Sequence, residues 1–346
     1  MHEPVSVVLP TWNRARLLPR AIDSVLSQLE PGDELIVADD GSTDGTAALV
    51  AGYGPPVRHL ALPHGGAGAA RNAGWRVARG PLVAFLDSDD RWLPGKLALE
   101  RALLASRPEL ACCFSDFRTA RIDGIEREDG LAGWIGGPPR FAERVAAAVP
   151  LRSLLPDGPW DPSIRVHIGD FAAAAVREPI VNLGTALVRK PRLGPELGCA
   201  EDLPTFEEQP AVLRILRAGP AAFLATATLV QHDHAGPRLT RADHRARALA
   251  RIAVLERAFA GDPAFLARHG AELATRLAAE RVALARLLLA EGATAQARRV
   301  LAAIPTPPRE LVLLARLPGP LVAAAARGRR GLRRALALVP WLATPG

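Results

Sequence analysis

The sequence predicts a doubly wound, mostly parallel α/β sheet followed by an α-helical C-terminal extension. Three observations predict it. Short β-branched runs alternate with amphipathic segments through the first 120 residues, and the connections between them are short and rich in Gly, Asp and Pro. Beyond residue 240 the composition turns to Ala, Leu and Arg, with apolar positions at helical spacing. Strands alternating with helices at this interval indicate parallel strands joined by crossovers.

Taken in order, residues 5–9 form a β-branched run that Pro10 is expected to break. From Arg14 onward, Leu17, Leu18, Ile22, Val25, Leu26 and Leu29 share one helical face, with Asn13 as the expected cap. Residues 34–38 read as the second strand, closed by "DDGSTDGT", and residues 46–50 begin a short helix. A third strand is expected over 57–62, a helix from "GGAGAARNAGW", a fourth strand over 82–86, a helix from Pro94 and a fifth strand over 110–114. Residues 117–178 are punctuated by "GGPPRF", "LLPDGPWDPS" and "VREP", which argues for loops and short elements. Strand character returns at 180–188, a helix entered through acidic residues follows "AEDLP", and 222–230 reads as a last strand. The helical segment beyond residue 240 breaks at Glu291-Gly292, as in a helical hairpin, and shows no fixed repeat. Pro305, Pro307 and Pro308 separate it from a basic, amphipathic end where Arg327, Arg329, Arg330, Arg333 and Arg334 alternate with Leu332, Leu336, Leu338 and Trp341.

Composition narrows the classes. The 346 residues are 49% hydrophobic and 23% charged, ordinary for a folded protein. The net charge of +7 comes almost wholly from arginine, since Lys96 and Lys190 are the only lysines. That balance suits phosphate-bearing ligands or an anionic membrane surface. Cys112, Cys113 and Cys199 lie in no zinc-type spacing and read as buried thiols of a reducing compartment. With no signal-peptide pattern and no stretch of ~20 apolar residues, a cytoplasmic location without a spanning helix is expected.

The chemistry-bearing residues gather where strands end. "AFLDSDDRW" sets three carboxylates at the mouth of a core strand, where their repulsion is unfavourable unless a cation lies between them. In doubly wound sheets ligands collect beyond the carboxyl ends of the strands. Asp39-Asp40 and Asp87-Ser88-Asp89 both stand there.

Four ordered blocks, "VSVVLPTWNRARLLPRAIDSVLSQ", "ELIVADDGSTDGT", "GGAGAARNAGWRVARGPLVAFLDSDD" and a later "AED", resemble glycosyltransferase family 2. The resemblance runs to about residue 240 and leaves the last hundred residues uncovered. It implies a GT-A fold and a metal-dependent, inverting transfer of a sugar from a nucleotide donor, a UDP-sugar in the usual case, to a hydroxyl of a saccharide or lipid-linked acceptor. It also implies a division into a nucleotide-sugar half (1–116), an acceptor half (117–240) and a helical region (241–346). By resemblance Asp89, with Asp87 and a histidine after the last strand, His234 in preference to His232, holds Mn2+ or Mg2+. Pro10, Thr11, Trp12, Asn13, Asp39, Asp40, Arg71, Asp87 and Ser88 line the donor: Trp12 and Asp40 meet the base, Asp39 the ribose and Arg71 the diphosphate. Asp202, beside Glu201, is the expected catalytic base, although "LPTFEEQP" replaces the aromatic residues that commonly follow it. Arg238 is a further phosphate contact. The Gln-x-x-Arg-Trp motif of membrane-embedded polymer synthases is missing, which speaks against processive synthesis. The basic end suits contact with the inner face of a membrane, and nothing points to nucleic acid. Two rivals remain at this stage. A nucleotidyltransferase would want a glycine-rich loop that "LPTWNRARLL" lacks, and a catalytically silent nucleotide-sugar or glycan-binding protein would keep the fold alone.

Overall fold

A computed structural model describes residues 3–128, 130–233, 243–259 and 263–327. The chain divides into two compact units, Met1–Leu203 with Glu207–Pro237, and Pro204–Phe206 with Arg238–Gly346.

The first unit is built on one sheet. Its strands are β1 (Val5–Thr11), β2 (Glu34–Asp39), β3 (Val57–Ala61), β4 (Leu82–Phe85), β5 (Arg91–Trp92), β6 (Cys112–Ala120), β7 (Glu126–Arg127), β8 (Val149–Pro150), β9 (Arg165–Gly169), β10 (Leu187–Arg189) and β11 (Ala221–His232). Among the described residues their order is β3-β2-β1-β4-β10-β6-β11-β9-β8, with β5 on β11 and β7 on β6. The first four strands are mutually parallel. β10 runs against both β4 and β6, so β6 and its parallel neighbour β11 point the same way as β1. The carboxyl ends of β1, β2, β3, β4 and β6 therefore share one edge, and every candidate donor residue between positions 10 and 89 lies on it or in α3.

Burial explains the centre. Every residue of β1, β2 and β4 is buried, which is why these runs are mostly apolar and do not alternate; the polar exceptions in β1 and β2 are Ser6, Thr11, Glu34 and Asp39. Pro10 does not end β1, which continues to Thr11. β4 stops opposite Val8, so beyond that point β1 is paired on one side only and tolerates a residue without an N–H. Between the strands run α1 (Leu18–Leu26), α2 (Thr46–Ala51), α3 (Ala67–Val77) and α4 (Lys96–Ser106). α1 begins four residues later than its apolar pattern suggests, with Pro19 in its first turn and no side-chain cap. α3 packs on β1 and β2 at very short range, because a Cβ on Gly74 would overlap Val8.

Other expectations need correction. The strand expected over 180–188 shrinks to three residues, because the Asn182 side chain accepts from the Gly184 N–H and folds Leu183–Thr185 into a 3-10 turn. The helix expected after "AEDLP" starts only at Gln209, where Pro210 fits the first turn. β6 and β11 are longer than expected, and β11 carries register shifts near Ala227. The thiols of Cys112, Cys113 and Cys199 are free and buried.

The second unit contains helices His244–Phe259, Pro263–Ala290, Thr294–Ala302, Arg309–Leu314 and Gly319–Arg327. The break at Glu291-Gly292 is present, with Gly292 at φ +78°. Leu284, Leu288, Leu301 and Leu311 lie in its core. Among the described residues no helix is long and apolar enough to cross a membrane.

Candidate functional site

Two aspartates close β2. Asp39 is buried; one oxygen accepts from the Ser42 N–H at 2.9 Å and the other meets His59 Nε2 at 3.0 Å. Burial pushes its pKa up, but the bonds from Ser42 and His59 outweigh it and leave the carboxyl below its usual range. Asp40 accepts from the N–H groups of Gly65 at 2.7 Å and Gly66 at 2.9 Å, and meets His64 Nδ1 at 2.9 Å. It thus ties β2 to the turn that opens α3, where Gly66 sits at φ +91°. Trp12 is 47% exposed and stacks on His64, ring centroids 4.6 Å apart and planes 23° from parallel. Asn13 does not cap α1. Its Oδ1 accepts from the N–H of Thr43 at 2.8 Å, its own N–H donates to Ser42 Oγ at 2.9 Å, and φ +51° bends β1 toward that loop. The histidines escaped the sequence reading; His64, between Pro63 and the glycines of the α3 turn, carried the better signal.

The acidic turn after β4 forms the second part. Asp87, Asp89 and Asp90 each offer a carboxylate oxygen, and these oxygens all lie within 4.8 Å of one another. Asp90 is buried, folds back through its N–H onto the Asp87 carbonyl at 3.0 Å and accepts from the His232 N–H at 3.0 Å. It is the third carboxylate of the turn counted from the sequence, but it was not selected there as a metal ligand. Ser88 is buried between them. Arginines surround the turn: Arg14 Nη1 lies 3.4 Å from Asp89 Oδ2, and Arg20 donates to the Asp89 carbonyl. Burial, with Arg20 and Arg91 facing it, pushes His232 down to about 4, so its imidazole is neutral at pH 7.

Arg71 departs most from expectation. Read from sequence as a diphosphate contact, its guanidinium is only 7% exposed. Nη2 donates to Asp87 Oδ1 at 2.7 Å and Nη1 to Glu207 Oε1 at 2.8 Å. Burial opposes its charge, but Asp87 and Glu207 hold its pKa well above the usual value. Its charge is spent on two carboxylates, one of them in the acidic turn. The next residue, Asn72, reaches the other expected motif: its Nδ2 donates to Glu201 Oε1 at 2.8 Å. Glu201 and Asp202 are exposed on a loop, eight and seven residues before the helix start at Gln209, not on a helix N-terminus. His234 and Arg238 lie outside the described residues.

The structure thus brings Trp12, Asn13, Asp39, Asp40, Asp87, Ser88 and Asp89 to one sheet edge. α3 ties Asp87 to the Glu201 loop. All donors in the carboxylate cluster are oxygens, the set preferred by hard divalent cations, so the residues fit a Mg2+ or Mn2+ ion.

Known proteins share part of this sequence and its fold. Residues 6–145 match the family model described as Glycosyl transferase family 2. The succinoglycan biosynthesis protein ExoO of Rhizobium meliloti is 46% identical over 102 residues, 28% of this chain and 29% of ExoO. The chain spans less than half the length of the curated relatives it matches. S. aureus TarS 1-349, solved in complex with UDP-GlcNAc, aligns with a TM-score of 0.55 at 18% identity, covering 95% of this chain and 91% of that one. The mannosyltransferase PcManGT from Pyrobaculum calidifontis, solved with GDP-Man and Mn2+, gives 0.51 at 20% identity over 97% and 84%. At such identities the likeness is one of fold, and the fold is the GT-A arrangement.

Proposed function

Because residues 6–145 match the glycosyl transferase family 2 model, we propose that this chain is a metal-dependent, inverting glycosyltransferase. It takes its sugar from a nucleoside-diphosphate donor, UDP-linked in our reading, and gives it to a hydroxyl of a saccharide or lipid-linked acceptor. One observation carries the reading: three carboxylates converge at the end of β4, on the same sheet edge as Asp39, Asp40 and an exposed aromatic stack. TarS and PcManGT were each solved with a nucleotide sugar, which supports the donor class.

In this reading the base lies against the Trp12–His64 stack, with Asp39 and Asp40 shaping the slot from beneath. Asp89, Asp87 and Asp90 hold the cation, either Mn2+ or Mg2+. When bound, it supplies positive charge that stabilises the departing diphosphate. Asp202 removes the proton from the acceptor hydroxyl. The acceptor oxygen bonds to the anomeric carbon as the bond from that carbon to the β-phosphate oxygen breaks, so configuration inverts and a nucleoside diphosphate leaves. The basic segment from Arg327 to Trp341 lies mostly outside the described residues; its peripheral membrane contact is part of this proposal.

Thermal unfolding tests the reading. At a hundred times Kd, a ligand adds about 2.7 kcal/mol, which for a unit of this size raises Tm by roughly 5–10 °C. Mn2+ with UDP is expected to give such a rise, each alone much less, and Asp89→Ala is expected to abolish it. No shift across UDP, GDP and TDP with either metal overturns the reading.

A further inference from the structure

We infer that Asn72 is the positioning residue for the loop that carries Asp202, and that one turn of α3 fixes the spacing between that loop and the acidic turn. The inference rests on the glycosyltransferase reading above. Asn72 is buried. Its Nδ2 donates to the Cys199 carbonyl at 3.0 Å and to Glu201 Oε1 at 2.8 Å, and its Oδ1 accepts from the Cys199 N–H at 3.0 Å. The two bonds to Cys199 imitate the exchange between paired strands. Only a side-chain amide offers a donor and an acceptor in one plane at that reach.

The loop has no regular structure to hold it. Besides Asn72, the Ala200 N–H donates to the Glu207 carbonyl at 2.7 Å, and the Ala200 carbonyl lies against Gly68, where any Cβ would overlap it. Gly68, Arg71 and Asn72 follow the i, i+3, i+4 spacing of one helix face. That face grips Asp87 through Arg71 and the Cys199–Glu201 segment through Asn72. In an inverting displacement the base and the leaving group act on opposite sides of one carbon. A displacement of ~1 Å on either side costs about a hundredfold in rate. Asn72 touches neither reacting atom and acts through the loop.

The test uses the full chain, a donor it turns over and its metal. Asn72→Asp keeps the shape but loses both donated bonds. It is expected to lower kcat by about 10- to 100-fold, with donor KM and the thermal shift by metal plus UDP nearly unchanged. Adding Glu201→Gln reverses the polarity of the lost bond, with the new amide now donating, and is expected to restore part of kcat. In Asn72→Leu the same addition restores nothing. Should Asn72→Asp not fold, Glu201→Ala on the exposed loop carries the test through a kcat loss at constant donor KM. Unchanged kcat, a loss confined to donor KM, or no recovery in the pair overturns the inference. A wild-type chain that turns over no donor overturns the transferase reading itself, and this one with it.

Discussion

Replacing Arg71 with Met removes a guanidinium that joins two distant carboxylates, and the structure sets unequal costs for the two losses. Glu207 has a side chain only 7% exposed, whereas that of Asp87 is 41% exposed. Breaking a buried pair by deleting one partner costs about 3–5 kcal/mol, because the remaining charge stays desolvated. The same loss at a largely solvated carboxylate is screened to about 0–1 kcal/mol. Arg71→Met is therefore expected to destabilise the first unit by about 3–5 kcal/mol, nearly all of it through Glu207. Urea unfolding followed by tryptophan fluorescence reads this unit, since Trp12, Trp75, Trp92, Trp134 and Trp160 lie in it. Adding Glu207→Gln to Arg71→Met neutralises the orphan and is expected to recover about 2 kcal/mol, within the range of coupling between contacting residues. Asp87→Asn alone is expected to cost under about 1 kcal/mol. An Arg71→Met loss below about 1 kcal/mol, or strict additivity with Glu207→Gln, refutes the buried clamp.

Two further outcomes follow from packing and protonation. Gly74→Ala is expected to cost about 1–3 kcal/mol by overpacking Val8, and to cost much less in a Val8→Ala background; equal costs in both mean that α3 does not rest on β1 there. Burial, with the Glu207 carboxylate beside it, pushes Glu208 up to about 7, and burial pushes Glu100 to about 7 despite Lys96. A raised carboxyl pKa contributes stability that is full below about 4.5 and lost as pH rises through about 7. Tm is thus expected to fall between pH 5 and 8, less steeply in Glu208→Gln, and an identical slope in that variant contradicts the assignment.

What the sequence reveals and what it hides divides by distance along the chain. β2 and β4 are legible because each is buried throughout and ends in an Asp-rich turn, so pattern and punctuation agree within ten residues, while β1 is legible from its buried run and Pro10. The acidic turn is legible for the same reason. Asn13 is misread because its true partners, Ser42 and Thr43, lie about thirty residues away and outcompete a cap that the local pattern favours equally well. The partners of Arg71 are hidden from the sequence because Glu207 lies 136 residues away. An arginine near a glycine-rich turn suits a phosphate on local grounds, and only the tertiary fold reveals a carboxylate already beside it. The late helix start at Gln209 has a similar origin, since Ala200 and Glu207 close their own hydrogen bond and leave the intervening residues looped.

The arginines around the acidic turn bear on how a cation would be taken up. Carboxylates within 4.8 Å repel by more than about 3 kcal/mol per pair at an effective dielectric near 20. Arg71 and Arg14 each meet one of these carboxylates, and Arg20 donates to the Asp89 carbonyl. These contacts offset part of that repulsion, and an ion arriving alone would meet both the arginines and their fields. On the proposed function a nucleoside diphosphate would change the balance, because its own oxygens would help complete the cation's shell and its charge would offset the same arginines. On the proposed function, metal and nucleotide are therefore expected to strengthen each other's binding by an equal factor. That reciprocity is why the two together are expected to raise Tm much more than either alone, and a full rise with Mn2+ alone requires the arginines to yield without the nucleotide.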